Sequence, residues 1–300
     1  MRVLIAGGSG FLGRALSARL VDDGAAVTWL SRTPEAAHPE TVEVRGYDAL
    51  ASDDAWDAVV NLAGAGIAER RWSEARKREL LDSRLQPTRR LLAWMEACAR
   101  RPRVLLSGSA VGWYGARGDE PLTEESGFHD EFVHRLCARW EEAALEAEAL
   151  GVRVVLLRTG VVLHPDGGMV RRLLTPFRLG LGGRLGDGRQ VLSWIAREDW
   201  VEAVRSLLHR HLDDDAAAPD GPVNLTAPQP ATNAEFTAAL AGALRRPALL
   251  PLPAPLLRLG FGEMATLLLD GQRVLPQRLT QAGFRFLHPR LEDALRAQLS

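Results

Sequence analysis

The feature that most constrains this chain is a run of glycines, Gly7-Gly8-Ser9-Gly10-Phe11-Leu12-Gly13, placed directly after the apolar stretch Val3-Leu4-Ile5-Ala6. Four apolar residues that stop at glycine read as a buried strand. Beyond the run, Leu12, Ala15, Leu16, Ala18, Leu20 and Val21 recur at a helical spacing over residues 11–22. A strand, a glycine turn and a helix in that order assign a job to each glycine. Gly7 allows the tight turn, Gly10 lets the backbone come close to a bound group, and Gly13 permits close helix–strand packing. The helix N-terminus adds free N–H groups and the positive end of a dipole, which suit a phosphate. A dinucleotide pyrophosphate is the ligand that this arrangement holds. An ordinary glycine turn is the plain alternative, and the agreement of strand, spacing and helix weighs against it.

The second strand bears on which dinucleotide. Where NAD binds, a carboxylate at the end of that strand, about 20 residues past the loop, takes the ribose hydroxyls. Here Ala26-Val27-Thr28-Trp29-Leu30 runs into Ser31-Arg32, with no carboxylate at that place. A guanidinium pairs with phosphate through two hydrogen bonds, so Ser31 and Arg32 point to a 2′-phosphate and hence to NADP(H). The competing reading of Arg32 is a solvated loop residue. Further along, Ala58-Val59-Val60-Asn61-Leu62 is a third strand, with Leu62 and Ala63 expected to give backbone and apolar contact to the adenosine side.

Strands continue at 103–107 and 152–157, separated by helical patterns at 74–101 and 131–150. Near-continuous apolar strands alternating with helices predict an α/β fold, a Rossmann-type doubly wound parallel sheet. The pattern changes after Gly160. Residues 176–188 are rich in Gly, Leu and Arg and read as an ordered loop region, 213–221 as a solvated turn, and 247–255 as a proline-rich lead into a helical tail. The expected division is a nucleotide-binding part over 1–160, continued by about 191–226. The substrate side would be 161–190 and 227–300, with a small C-terminal domain at about 248–298.

With 37 basic and 38 acidic residues the net charge is −1. Nucleic acid and membrane surfaces usually select a basic excess, so neither is expected as a partner. Two cysteines, Cys98 and Cys137, lie far apart with no CxxC neighbour. No zinc or other metal site is expected, and a reducing cytoplasm is the natural setting. No apolar stretch approaches the roughly 18–20 residues of a membrane span. Oligomeric state is not legible.

The motifs together resemble the extended short-chain dehydrogenase/reductase superfamily. Several of them narrow the resemblance: residues 64–72 beginning Gly64-Ala65-Gly66, Ser107-Gly108-Ser109, Trp113-Tyr114-Gly115, Arg139-Trp140-Glu141-Glu142, Leu157-Arg158-Thr159-Gly160-Val161, Ser193-Trp194-Ile195 and Gly271-Gln272-Arg273. Over residues 1 to about 298 the chain is similar to an atypical subgroup often labelled "epimerase family protein", the YfcH-like family. The resemblance implies a Rossmann domain followed by a small C-terminal domain.

It also implies where chemistry belongs. Ordinary members use a Tyr-x-x-x-Lys pair, a Ser and an Asn. Here Val133 stands for the Tyr, Cys137 for the Lys and Arg84 for the Asn, and only the Ser, Ser109, is kept. Val133 cannot transfer a proton, so standard Tyr/Lys chemistry is not expected. Ser109 remains a candidate donor to a substrate oxygen. Cys137 is a candidate acid or nucleophile if Arg84 or another cation lowers its pKa, or else a small buried filler. Tyr114 could offer its phenol from a nearby loop, or simply pack that loop. Glu79 and Arg84 are expected around the cofactor, together with Gly64, Gly160 and Val161. Arg178, Arg184, Arg189 and Trp194 make an anionic small-molecule substrate plausible. The leading expectation is an NADP(H)-dependent oxidoreductase or epimerase-like enzyme. The rival is an NADPH-binding sensor or regulator without turnover, and nucleotide-sugar epimerisation is a third reading, disfavoured by the missing base.

Overall fold

The structure is a computed structural model and describes residues 1–36 and 38–299. Seven parallel strands form the central sheet: β1 (Arg2–Ala6), β2 (Ala26–Ser31), β3 (Glu43–Gly46), β4 (Ala58–Asn61), β5 (Val104–Ala110), β6 (Arg153–Thr159) and β7 (Gly221–Leu225). Their spatial order is β3-β2-β1-β4-β5-β6-β7. The order reverses between β1 and β4, and a ligand crevice opens outside the carboxyl ends of the strands at such a point. The doubly wound reading of the sequence therefore stands.

Helices cover both faces. Helix α1 (Phe11–Asp22) packs beside a later helix, Arg197–Leu212, on one face, where Leu16 and Leu20 meet Trp200, Val204 and Leu208 over Val3, Ile5 and Val60. The other face carries α2 (Glu74–Ala97) and α3 (Phe132–Leu145), whose Leu91, Met95 and Ala144 bury Leu4, Val59 and Leu105. Central strands are buried on both sides, which is why they read as unbroken apolar runs.

A separate apolar cluster gathers Val170 and Phe177 from the helix Gly168–Arg178, Phe236 and Leu240 from Asn233–Leu244, and Leu291 and Leu295 from the terminal helix Leu291–Leu299. Of the segment 176–188, expected as loop, residues 176–178 instead complete that helix, which runs through Pro176 in its last turn, and 179–188 follow it as loop. Residues 271–278 tie this region to the end of the sheet. Val274 N donates to Ser193 Oγ (2.8 Å), and Ser193 Oγ donates to Gln272 O (2.6 Å). Asn224 Nδ2 donates to Leu275 O (3.0 Å), and Thr226 Oγ1 donates to Val274 O (3.2 Å). Glu124 receives both Asn224 N (3.0 Å) and Arg278 N (3.2 Å) on one carboxylate oxygen.

Candidate functional site

The glycine loop is built as its spacing demands. Gly7 has φ +81°, a left-handed conformation that favours glycine, and a Cβ there would meet Leu62 O at 2.8 Å. The loop thus lies directly on Leu62 and Ala63 at the end of β4. Ala63 N donates to Asn61 Oδ1 (3.3 Å), and Asn61 Nδ2 donates to Thr88 Oγ1 of α2 (2.8 Å), which fixes that strand end. A Cβ on Gly13 would collide with Gly7 O, and one on Gly8 with the Trp29 ring. Trp29 is itself held, Nε1 to Ser17 Oγ (2.7 Å), and Ser17 Oγ donates to Gly13 O (2.7 Å). A Cβ on Gly10 would meet only Gly7 O, at 3.1 Å, so the space above Gly10 is open to a ligand. Ser9 is exposed and its carbonyl accepts from Arg14 Nε (2.6 Å). Helix α1 begins with no side-chain cap and no acidic residue in its first turn, so nothing among the described residues competes for its leading N–H groups. Phe11 closes the side of the loop, packed on Gly167 with the Arg197 guanidinium 5.6 Å from its ring centre.

Ser31 ends β2 and its Oγ accepts from Thr33 N (3.0 Å). Arg32 is exposed and forms no ion pair among the described residues. It is close enough to Tyr47 to oppose the upward push of burial, which takes that phenol to about 12. On the other side of the crevice Arg84 is half-buried, its Cζ 5.0 Å from the centre of the Trp140 ring, and it lies against Gly64, where a Cβ would come within 3.1 Å of Cζ. Arg84 Nη1 donates to Leu80 O (2.9 Å), and no partner among the described residues takes its Nε or Nη2. Gly160 and Val161 stand at the end of β6, with their N–H groups engaged by Leu225 O and Ser193 O.

Five expectations change. Glu79 does not join Arg84. Five residues along a helix are about 140° around its axis, and Glu79 pairs instead with Arg70 (2.9 Å) and Arg76 (2.7 Å), whose hydrogen bond holds its carboxyl below the ordinary range. Cys137 is buried, and burial pushes its thiol up to about 12, with Glu141 adding to the push and Arg84 only partly opposing it. It is a neutral filler beside Val133 and Gly112, not an activated thiolate. Tyr114 is fully buried. Its hydroxyl donates to Asn224 Oδ1 (2.7 Å) and accepts from Arg158 Nη1 (3.2 Å), so the phenol faces the interior. Trp194 is also core, its Nε1 donating to Gln229 O (2.9 Å).

The fifth change concerns Ser109. Its hydroxyl donates to Glu141 Oε1 at 2.5 Å. Glu141 is in turn gripped by Arg158, Nε to Oε1 (2.9 Å) and Nη2 to Oε2 (2.8 Å), with both side chains nearly excluded from water. An anionic acceptor outcompetes a neutral carbonyl for that proton. Toward a ligand, Ser109 therefore offers a lone pair, not a proton. Glu141 and Arg158 are the site residues that sequence reasoning missed. The signal was present, since both are charges set in buried positions, and buried charges demand partners.

Residues 3–220 match the sequence model of the NAD dependent epimerase/dehydratase family. The chain belongs to that family. Residues 252–298 match a domain of unknown function. An epimerase family protein of Mycobacterium bovis is 45% identical over 302 residues, covering 98% of this chain and 96% of the relative. The crystal structure of human epimerase family protein SDR39U1 with NADPH is 35% identical and has a TM-score of 0.90, covering 100% of this chain and 99% of that one. A nucleoside-diphosphate sugar epimerase structure from Corynebacterium glutamicum is 32% identical with a TM-score of 0.78, and this chain spans 58% of it.

Proposed function

We propose that this family member binds NADP(H) along its glycine loop and acts as an oxidoreductase or epimerase-like enzyme on a small molecule, without the usual Tyr and Lys. The observation that carries the cofactor is the crevice itself: an open approach above Gly10 at an uncapped helix N-terminus, with an exposed Arg32 where NAD-binding folds place a carboxylate. The human relative solved with NADPH, similar over its whole length, supports the same reading. When bound, the cofactor supplies or takes a hydride. The chain's own contributions are different: Arg32 pairs with the 2′-phosphate, the loop N–H groups hold the pyrophosphate, and Arg84 offers two free donors. Ser109 receives a hydrogen bond from a ligand hydroxyl or amide. Arg178, Arg184 and Arg189, all exposed, remain available to an anionic substrate.

A second reading, NADPH held as a signal without turnover, is favoured by one observation. The Cys137 thiol stays protonated and the Tyr114 phenol is committed to Asn224, so neither is poised to move a proton.

Titration with NADPH and NADH tests the cofactor. Arg32→Ala is expected to weaken NADPH by about 10- to 100-fold, the worth of one charge-assisted pair, and to leave NADH nearly unchanged. Equal loss for both would sink the NADP(H) assignment. A panel of alcohols and carbonyls, followed by nicotinamide absorbance, then separates the two readings: turnover of any member supports the enzyme, and tight NADPH binding with no turnover favours the sensor.

A further inference from the structure

Of the twelve large apolar side chains left exposed among the described residues, nine lie in two short segments, at 179–181 and 249–267. The segments are neighbours. Leu250 N donates to Gly182 O (3.1 Å), Leu252 N to Arg184 O (2.9 Å), and Gly186 N to Leu252 O (2.9 Å). On the resulting face Leu249 is 79% exposed, Leu259 76% and Leu179 68%, with Leu181, Leu250 and Leu256 all above half. A soluble monomer rarely leaves such a group of leucines together unless something covers it. Helix Ala254–Phe261 shows the division within one element: Leu257 points into the protein at 1% exposure, and Leu256 and Leu259 point out.

The charges on this face have one sign. No Asp or Glu occurs from 167 to 186 or from 236 to 262. The same stretches carry Arg178, Arg184, Arg245, Arg246 and Arg258, each exposed and each without an ion pair among the described residues. Carboxylates return only at the borders, at Asp187, Glu263 and Asp270. The near-zero net charge, which argued against a membrane partner, averages over this segregation.

We propose that the face formed by residues 178–184 and 245–259 docks on the surface of an anionic lipid bilayer. Exposed leucines beside unpaired arginines are the composition that binds there, by apolar burial together with attraction to anionic headgroups. No described helix is long and apolar enough to cross a membrane, so the contact is peripheral. A second copy of the chain fits less well, because a two-fold contact centred on this face sets arginine against arginine with no carboxylate between them. A partner protein would anchor its contact in pockets, whereas Leu249 and Leu259 project almost fully into solvent. The docking does not depend on the reaction proposed above, although Arg178 and Arg184 belong to both, so the variants below leave these two residues in place.

Sedimentation of the full chain with phosphatidylcholine vesicles, with and without phosphatidylglycerol, tests it. The protein is expected to pellet with the anionic vesicles only, and less as salt rises. Arg246→Gln with Arg258→Gln should lower partitioning roughly twenty- to thirtyfold, at about one headgroup attraction per arginine. Leu249→Ser with Leu259→Ser should abolish it while the NADPH titration stays unchanged, which shows that the variant is folded. Three outcomes overturn the proposal. One is no pelleting with anionic vesicles at low salt. Another is binding undiminished in both variants. The third is a dimer by light scattering, or binding to polyglutamate, that the leucine variant removes while vesicles are ignored; that result hands the face to a second copy or to an acidic protein.

Discussion

Single residues divide into those whose geometry is local and those whose role depends on a distant partner. Gly7, Gly10 and Gly13 belong to the first kind: Gly7 by its positive φ, and Gly10 and Gly13 by their approach to Gly7 O, so the loop was readable from its spacing. Ser109 and Tyr114 belong to the second. Their positions were legible and their chemistry was not, because Glu141, Arg158 and Asn224 lie 32, 44 and 110 residues away from the groups they bind. Cys137 allows a direct check. A thiol held neutral up to about 12, against an ordinary 9.0, stays unreactive at neutral and mildly alkaline pH. A disulfide reagent at pH 8 should find no fast thiol in the native protein and two after denaturation; a fast native thiol that Cys137→Ala removes would restore the activated cysteine. The same shift has a sign for stability. The folded state keeps a proton that the unfolded chain gives up, so the contribution is full below about 9 and is lost as pH rises toward 12.

At the scale of elements, the strands buried on both faces and the helices α1 to α3 were visible as periodicity, and the bounds moved by only a few residues. β3 and β7 were not visible. β3, Glu43-Val44-Arg45-Gly46, is a sheet edge with no fully buried residue, and β7 opens with Gly221-Pro222 straight out of a solvated turn. Edge strands carry the weaker apolar signal. The helix Gly168–Arg178 was masked by a glycine at its start and by Pro176 near its end. Asn233–Leu244 depends on its start: Thr232 Oγ1 accepts from Glu235 N (3.2 Å) and Glu235 Oε2 accepts from Thr232 N (2.7 Å), a reciprocal cap. Thr232→Ala should cost about 1 kcal/mol, read as a lower urea midpoint with an unchanged slope; no shift in the midpoint would mean that the cap is idle.

Across the whole molecule, the C-terminal region is part of the same packed body as the sheet. Residues 271–278 bond to Ser193, Asn224, Thr226 and Glu124, and the terminal helix completes the cluster around Phe177 and Phe236. Deleting 271–300 is therefore expected to expose that cluster and yield aggregated or unfolded protein; a soluble truncation with native circular dichroism and intact NADPH binding would show that the region is an appendage. The sequence resemblance had placed a small domain at the C-terminus, but resemblance carries no contacts, and these long-range bonds have no local pattern to betray them.

The bonds from Leu275 to Asn224, Tyr114, Arg158, Glu141 and Ser109 also impose a timetable on biosynthesis. The glycine loop and its flanking strands leave the ribosome early and can fold as a unit. The polar chain beneath Ser109 has no end stop until residues 271–278 emerge, well after the loop and its strands. A nascent chain thus acquires its nucleotide cradle before the pocket beside it.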